Sequence, residues 1–184
     1  LMSSVRASLR AYAQDVYDLD EVITRVNLAL SRDTRDNEFA TLWYGVFDPQ
    51  SMRLTYCNAG HEPPILLRRG KISYLDSGGM IVGVDAGQEY QKGICKLEPN
   101  DLLLIYTDGL TDAFNFTEER FGRDRLIGAL HECDGMTAEQ AMNHVLWRKR
   151  CFTGLYRNTD DTTIMTIRVG EHDASKIKLP PSAG

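Results

Sequence analysis

The stretch Phe39-Ala40-Thr41-Leu42-Trp43-Tyr44-Gly45-Val46-Phe47-Asp48-Pro49-Gln50-Ser51-Met52-Arg53-Leu54-Thr55-Tyr56-Cys57-Asn58 decides the fold class. Aromatic and β-branched side chains over Phe39–Phe47 suit a pleated, half-buried surface, which predicts a strand. Asp48-Pro49-Gln50-Ser51 is a turn, because proline presets its φ and the flanking Asp and Ser can bond the turn backbone. Met52–Asn58 is then the return strand, and two strands joined so briefly pair antiparallel. Further along, Ile65–Arg68 and Ile72–Leu75 flank Arg69-Gly70-Lys71 as a second hairpin. Gly78-Gly79 and Gly83 interrupt the next stretch. Tyr90–Leu97 and Leu102–Tyr106 are expected to pair around Pro99-Asn100-Asp101, and Thr162–Val169 forms a last strand.

Helical periodicity brackets these strands. Leu1, Val5 and Leu9 recur at four-residue steps, with Tyr12 and Val16 on about the same side. Leu19, Val22, Ile23, Val26 and Leu30 form a second stripe, and Asn37 marks the exit. Later helices are expected over Arg123–Cys133 and from Thr137, whose hydroxyl and Gln140 three residues on make a capping box. Helices kept apart from strands predict an α+β fold of layers, not the alternation of a Rossmann arrangement.

Composition narrows the function classes. The chain has 184 residues, enough for one domain with a sizeable core. It carries 21 basic and 26 acidic residues, a net charge of −5 that argues against nucleic acid or an anionic membrane as main partner. No apolar run is long enough to span a bilayer, so no membrane insertion is expected. Cys57, Cys95, Cys133 and Cys151 are widely spaced without a CxxC pair, the pattern of reduced thiols in a cytoplasmic protein. The basic cluster Trp147-Arg148-Lys149-Arg150 is read as a complement to a helix dipole.

Two acidic motifs carry the candidate chemistry. In Ile105-Tyr106-Thr107-Asp108-Gly109-Leu110-Thr111-Asp112 an apolar strand runs into a carboxylate, and the adjoining glycine lets backbone or ligand approach closely. In Asn158-Thr159-Asp160-Asp161-Thr162-Thr163 two carboxylates stand at the entry to another strand. Either motif alone is also an ordinary turn or cap. Were the two strands neighbours, the carboxylates would converge and repel, and a hard divalent cation would relieve that repulsion. His61, in the loop Ala59-Gly60-His61-Glu62-Pro63-Pro64, is a candidate acid or base; the structural alternative has it bonding the loop backbone.

Three collinear stretches resemble the SpoIIE/RsbU group of PP2C-type (PPM) serine/threonine phosphatases. Phe39–Pro64, with Asn58-Ala59-Gly60-His61-Glu62-Pro63-Pro64, is similar to that group's hairpin and its Asn-Ala-Gly-His-x-Pro-Pro loop. Leu103–Leu110 is similar to its strand ending in Thr-Asp-Gly, and Asn158–Ile164 to its Asp-Asp-x-Thr motif. The resemblance implies two packed antiparallel β-sheets flanked by helices, the PP2C-like α/β-β/α sandwich. It also implies hydrolysis of phosphoserine or phosphothreonine by a water bridging two Mn²⁺ or Mg²⁺ ions. By motif, Asp108 and Asp160 match metal ligands, Asp161 could support Asp160, Asp112 could serve an additional ion, and Gly109 is the backbone beside the metals.

The family's other metal-binding aspartates lie in two upstream motifs, and neither occurs in this sequence. The expectation is therefore a partial phosphatase domain over residues 1–170, lacking the N-terminal strands and weak or inactive alone, followed by a flexible tail over 171–184. By analogy, the substrate is a phosphorylated anti-sigma-factor antagonist in bacterial stress, sporulation or signalling control. The apolar stripes of the first two helices are read as core or as the surface of a homodimer, not as a membrane face. The alternative is a pseudophosphatase that binds a partner without hydrolysis.

Overall fold

The computed structural model describes residues 1–15, 18–33, 39–156 and 160–170. Val16, Asn37, Asn158, Thr159 and the segment 171–184, all assigned above, lie outside them. Four layers follow from the alternation of side chains. The helices α1 (Met2–Asp15) and α2 (Leu19–Asp33) cover a first sheet of β1 (Leu42–Asp48), β2 (Arg53–Ala59), β5 (Gly78–Gly79) and β6 (Gly93–Lys96). A second sheet runs in the order β4 (Lys71–Tyr74), β3 (Ile65–Arg68), β7 (Leu102–Tyr106), β8 (Ile164–Arg168), and α3 (Gly122–His131) and α4 (Ala138–Thr153) cover it.

Period-two alternation assigns each strand residue to a layer. On β2, Cys57 and Ala59 pack with Ile23 and Val26 of α2, whereas Leu54 and Tyr56 face the space between the sheets. On β7, Leu102, Leu104 and Tyr106 pack with Leu126 of α3 and Val145 of α4, whereas Leu103 faces the first sheet. The expected hairpin is present, though its first strand begins at Leu42 and not Phe39, with Leu42 opposite Ala59 and Asp48 opposite Arg53, while Ala40 bridges Val82. Asp48 closes its turn by accepting from the Gln50 N–H at 3.0 Å. Thr137 and Gln140 make the expected capping box at the start of α4. The pairing of β2 with β5 is parallel, a two-residue exception in otherwise antiparallel sheets.

One pairing differs from expectation. β6 and β7 are not partners: β6 pairs with β2 in the first sheet, and β7 with β3 and β8 in the second. The segment between them is thus a crossing between sheets and not a hairpin turn. Asp101, 1% exposed, holds this crossing. Its carboxylate accepts from Arg68 Nε at 2.8 Å, from Arg68 Nη2 at 2.6 Å and from the Glu98 N–H at 2.8 Å. The same Nη2 donates to the Lys96 carbonyl at the end of β6. One guanidinium therefore ties the second sheet to the last residue of the first.

All four cysteines are free, and burial pushes the Cys57 thiol up to about 11. No helix among the described residues is long and apolar enough to cross a membrane. Removing the guanidinium strands a buried carboxylate, so Arg68→Ala is expected to cost about 3 kcal/mol. Arg68→Lys recovers only part of that, because a single ammonium cannot bond both oxygens in fork geometry. Urea unfolding midpoints check both values.

Candidate active site

β7 ends at Tyr106, and the chain turns at once into a short 3-10 helix, Asp108–Leu110, fixed by the Leu110 N–H to the Thr107 carbonyl. Opposite it, the segment Asp160–Thr163 leads into β8. Because β7 and β8 pair antiparallel with Tyr106 opposite Ile164, the end of one strand and the entry of the other fall at the same sheet edge. The two acidic motifs, separate in sequence, are joined there.

Hydrogen bonds lock them together. The Thr107 N–H donates to the Thr163 carbonyl at 3.1 Å, and the Thr163 N–H donates to Thr107 Oγ1 at 2.9 Å. Thr162 Oγ1 donates to the Gly109 carbonyl at 2.8 Å. The contact is closest at Gly109, where a Cβ would lie 2.3 Å from the Asp161 carbonyl oxygen. Glycine is required at this position by the neighbouring backbone, independently of any ligand.

Lys149 completes the clasp. It continues the buried stripe Ala141, Val145, Lys149, Thr153 along α4 and is only 6% exposed. Its Nζ donates to the Gly109 carbonyl at 3.1 Å and to Thr162 Oγ1 at 2.6 Å. Burial lowers its pKa from the ordinary lysine value. The helix-dipole reading of the cluster 147–150 is corrected for this residue: its ammonium points into the fold. Four-residue spacing from Ala141 and Val145 was the signal that could have marked it.

The carboxylates remain at the surface. Asp108, Asp160 and Asp161 are exposed. Asp108 Oδ1 accepts from the Gly109 N–H at 2.9 Å, and Asp160 Oδ1 accepts from the Asp161 N–H at 2.7 Å. Asp112, one turn beyond Asp108, pairs with Arg120 at 3.3 Å. Oxygen-only donors fit a hard divalent cation in kind. In number they fall short, since no three His, Cys, Asp or Glu groups among the described residues gather so as to hold a metal ion.

The loop after β2 lies on the other flank. Buried Asn58 closes it, its Oδ1 accepting from the His61 N–H at 2.8 Å and its Nδ2 donating to the His61 carbonyl at 3.0 Å. The His61 ring contacts Thr41 Oγ1 at 3.3 Å. The Asn58 bonds engage the His61 backbone, while the ring's own contact is with the Thr41 hydroxyl. Glu62, which the sequence reading assigned no role, accepts from the Tyr106 hydroxyl at 3.1 Å and from Arg123 at 2.9 Å. It joins the loop to the end of β7, two residues before Asp108.

Comparison with known proteins agrees with this layout. The family model described as Stage II sporulation protein E (SpoIIE) matches residues 1–170. Protein IcfG of Synechocystis is 43% identical over 93 residues, 50% of this chain and 15% of that protein. The phosphoserine phosphatase RsbU of Bacillus subtilis is 21% identical over 113 residues, 60% of this chain and 34% of that protein. The chain thus spans well under half of either relative. Among solved structures, the SiaA PP2C domain of Pseudomonas aeruginosa gives a TM-score of 0.78 at 16% identity, covering 90% of this chain and 68% of that one. The manganese-soaked phosphatase domain of Bacillus subtilis SpoIIE gives 0.66 at 16% identity, covering 92% of this chain and 74% of that one. These structural likenesses establish the fold.

The close approach at Gly109 gives a direct test of the clasp. Gly109→Ala must push the Asp160–Asp161 backbone away, an overpacking expected to cost about 1–3 kcal/mol. Gly128→Ala, whose added Cβ meets nothing within 4 Å, is the control and is expected to leave the urea midpoint unchanged or raised.

Proposed function

This chain belongs to the SpoIIE family of PP2C-type serine/threonine phosphatase domains, and we propose that it contributes part of the active site of a metal-dependent enzyme that hydrolyses phosphoserine or phosphothreonine on a regulatory protein. The observation that carries the reading is the clasp that brings Thr107-Asp108-Gly109 and Asp160-Asp161-Thr162 to one edge. Asp108 and Asp160 are the residues proposed to hold a divalent ion, with Asp161 in support and Asp112 serving a further ion. When bound, Mn²⁺ or Mg²⁺ supplies a water of lowered pKa and offsets charge on the phosphoryl oxygens. The chain's own contribution is orientation. Each of Asp108 and Asp160 has one oxygen held by a backbone N–H, which fixes the direction in which the other faces.

RsbU is named a phosphoserine phosphatase, which supports phosphoserine as the group hydrolysed; a phosphorylated anti-sigma-factor antagonist is the substrate class proposed with it. A second reading, a pseudophosphatase or interaction module, draws support from the shortage of converging donors among the described residues.

Asp108→Asn and Asp160→Asn in the full-length protein, assayed with millimolar Mn²⁺ on para-nitrophenyl phosphate and a phosphoserine protein, separate the two. Each is expected to lower turnover by about a hundredfold or more, as loss of a metal ligand removes the ion's contribution. Each is also expected to weaken Mn²⁺ binding by calorimetry. Unchanged turnover in both variants would overturn the ligand assignment. Absence of Mn²⁺-dependent turnover and of Mn²⁺ binding in the unsubstituted protein would favour the interaction module.

A further inference from the structure

The chain passes the acidic edge and at once returns to it. After Asp112 it leaves as the loop 113–121, which folds straight back on itself. The Gly122 N–H donates to the Thr111 carbonyl at 2.9 Å, the Phe121 N–H to the Ala113 carbonyl at 2.8 Å and the Asn115 N–H to the Glu119 carbonyl at 3.0 Å. Phe114 and Arg120 form an antiparallel bridge between these bonds. Arg125 of α3 donates from Nη1 to the Arg120 carbonyl at 2.8 Å and pins the returning arm. The fold of the loop thereby brings Arg120 back beside Asp112.

Its side chain is oriented as well as placed. The guanidinium lies over the Phe114 ring, 5.5 Å from the centroid, and Nη1 meets Asp112 Oδ1 at 3.3 Å. The Asp112 N–H donates to the Asp108 carbonyl at 2.8 Å, a bond of one helical turn that puts the two aspartates on about the same face. Among the described residues, Arg120 is the one basic side chain paired with a carboxylate of this edge.

That pair leaves the guanidinium largely unused. The two side chains are 62% and 48% exposed and share a single long contact, which contributes little to stability. A guanidinium has five N–H donors in a planar fork, so most stay available. Charge decides what can take them. Asp108, Asp112, Asp160 and Asp161 repel an anion, so a phosphate monoester at this edge needs positive charge on its oxygens. The arginine fork fits two such oxygens at once. We infer that Arg120 is a substrate-binding residue whose guanidinium takes phosphoryl oxygens of the phosphoserine, giving up Asp112 as it does so. This rests on the phosphatase reading above and adds to it the residue that recognises the phosphate. Asp112, once released, is free for the further ion proposed there.

The test titrates the full-length protein, in saturating Mn²⁺, with inorganic phosphate by calorimetry, which reads the contact without turnover. Arg120→Ala is expected to weaken phosphate about tenfold. Arg120→Lys, which keeps the charge but not the fork, is expected to recover part of that loss. Mn²⁺ affinity and the urea midpoint are expected to hold or rise, because Arg120→Ala removes a cation beside Asp112 and breaks only an exposed pair. In turnover of a phosphoserine peptide, the loss is expected in KM more than in kcat. Equal phosphate Kd in Arg120→Ala and unsubstituted protein would overturn the assignment, as would absence of phosphate binding in the unsubstituted protein. An equal loss of phosphate and of Mn²⁺ binding would also overturn it, because Arg120 would then act on the metal site's frame. Failure of the phosphatase reading shows separately, as phosphate binding without Mn²⁺-dependent turnover of para-nitrophenyl phosphate in the unsubstituted protein.

Discussion

A lysine ammonium on α4 bonded to the Gly109 carbonyl and the Thr162 hydroxyl is the constraint on which the acidic edge depends. An ammonium taken out of water is costly, and burial alone would drive it toward the neutral form. Two oxygen acceptors at 3.1 and 2.6 Å, themselves linked by the Thr162 to Gly109 bond, offset that cost. The acceptors belong to the two motifs that carry the carboxylates. Lys149 can be satisfied only while those motifs stay together, so the helix, the 3-10 turn and the entry to β8 form one cooperative unit.

The remaining layers supply the frame for that unit. Antiparallel pairing of β7 with β8 sets which residues meet at the edge, and alternation along β7 sends Tyr106 toward the helices. Its hydroxyl then reaches Glu62, so the loop closed by Asn58 braces the strand end from the opposite flank to Lys149. Arg68 and Asp101 anchor the other end of β7, where the chain crosses between sheets. Gly109 is thus held directly by α4 and by the entry to β8, and the strand leading to it is braced at both ends, while Asp108, Asp160 and Asp161 stay exposed.

The legibility of the sequence followed the range of the interactions. The Leu42–Ala59 hairpin, the second hairpin at Arg69-Gly70 and the Thr137 cap are local, and their patterns appear directly in the residues. The meeting of the Thr107-Asp108-Gly109 and Asp160-Asp161-Thr162 segments was conditional on strand neighbourhood, which periodicity does not reveal. Pro99-Asn100-Asp101 looks like any hairpin turn, because the bonds that make it a crossing come from Arg68, more than thirty residues away. Lys149 was misassigned because its charge was weighed before its place on the Ala141–Val145 stripe. A buried charge is legible only once its acceptors are known, and here they lie 13 and 40 residues distant in sequence.

The most direct measurement is a double-mutant cycle between Lys149→Met and Thr162→Val, read from urea unfolding. If the ammonium and the hydroxyl hold the two motifs as one unit, the two losses are not additive, and a coupling of about 1–2 kcal/mol is expected. Additivity within about 0.3 kcal/mol would mean that the clasp contributes nothing as a unit, contradicting the account.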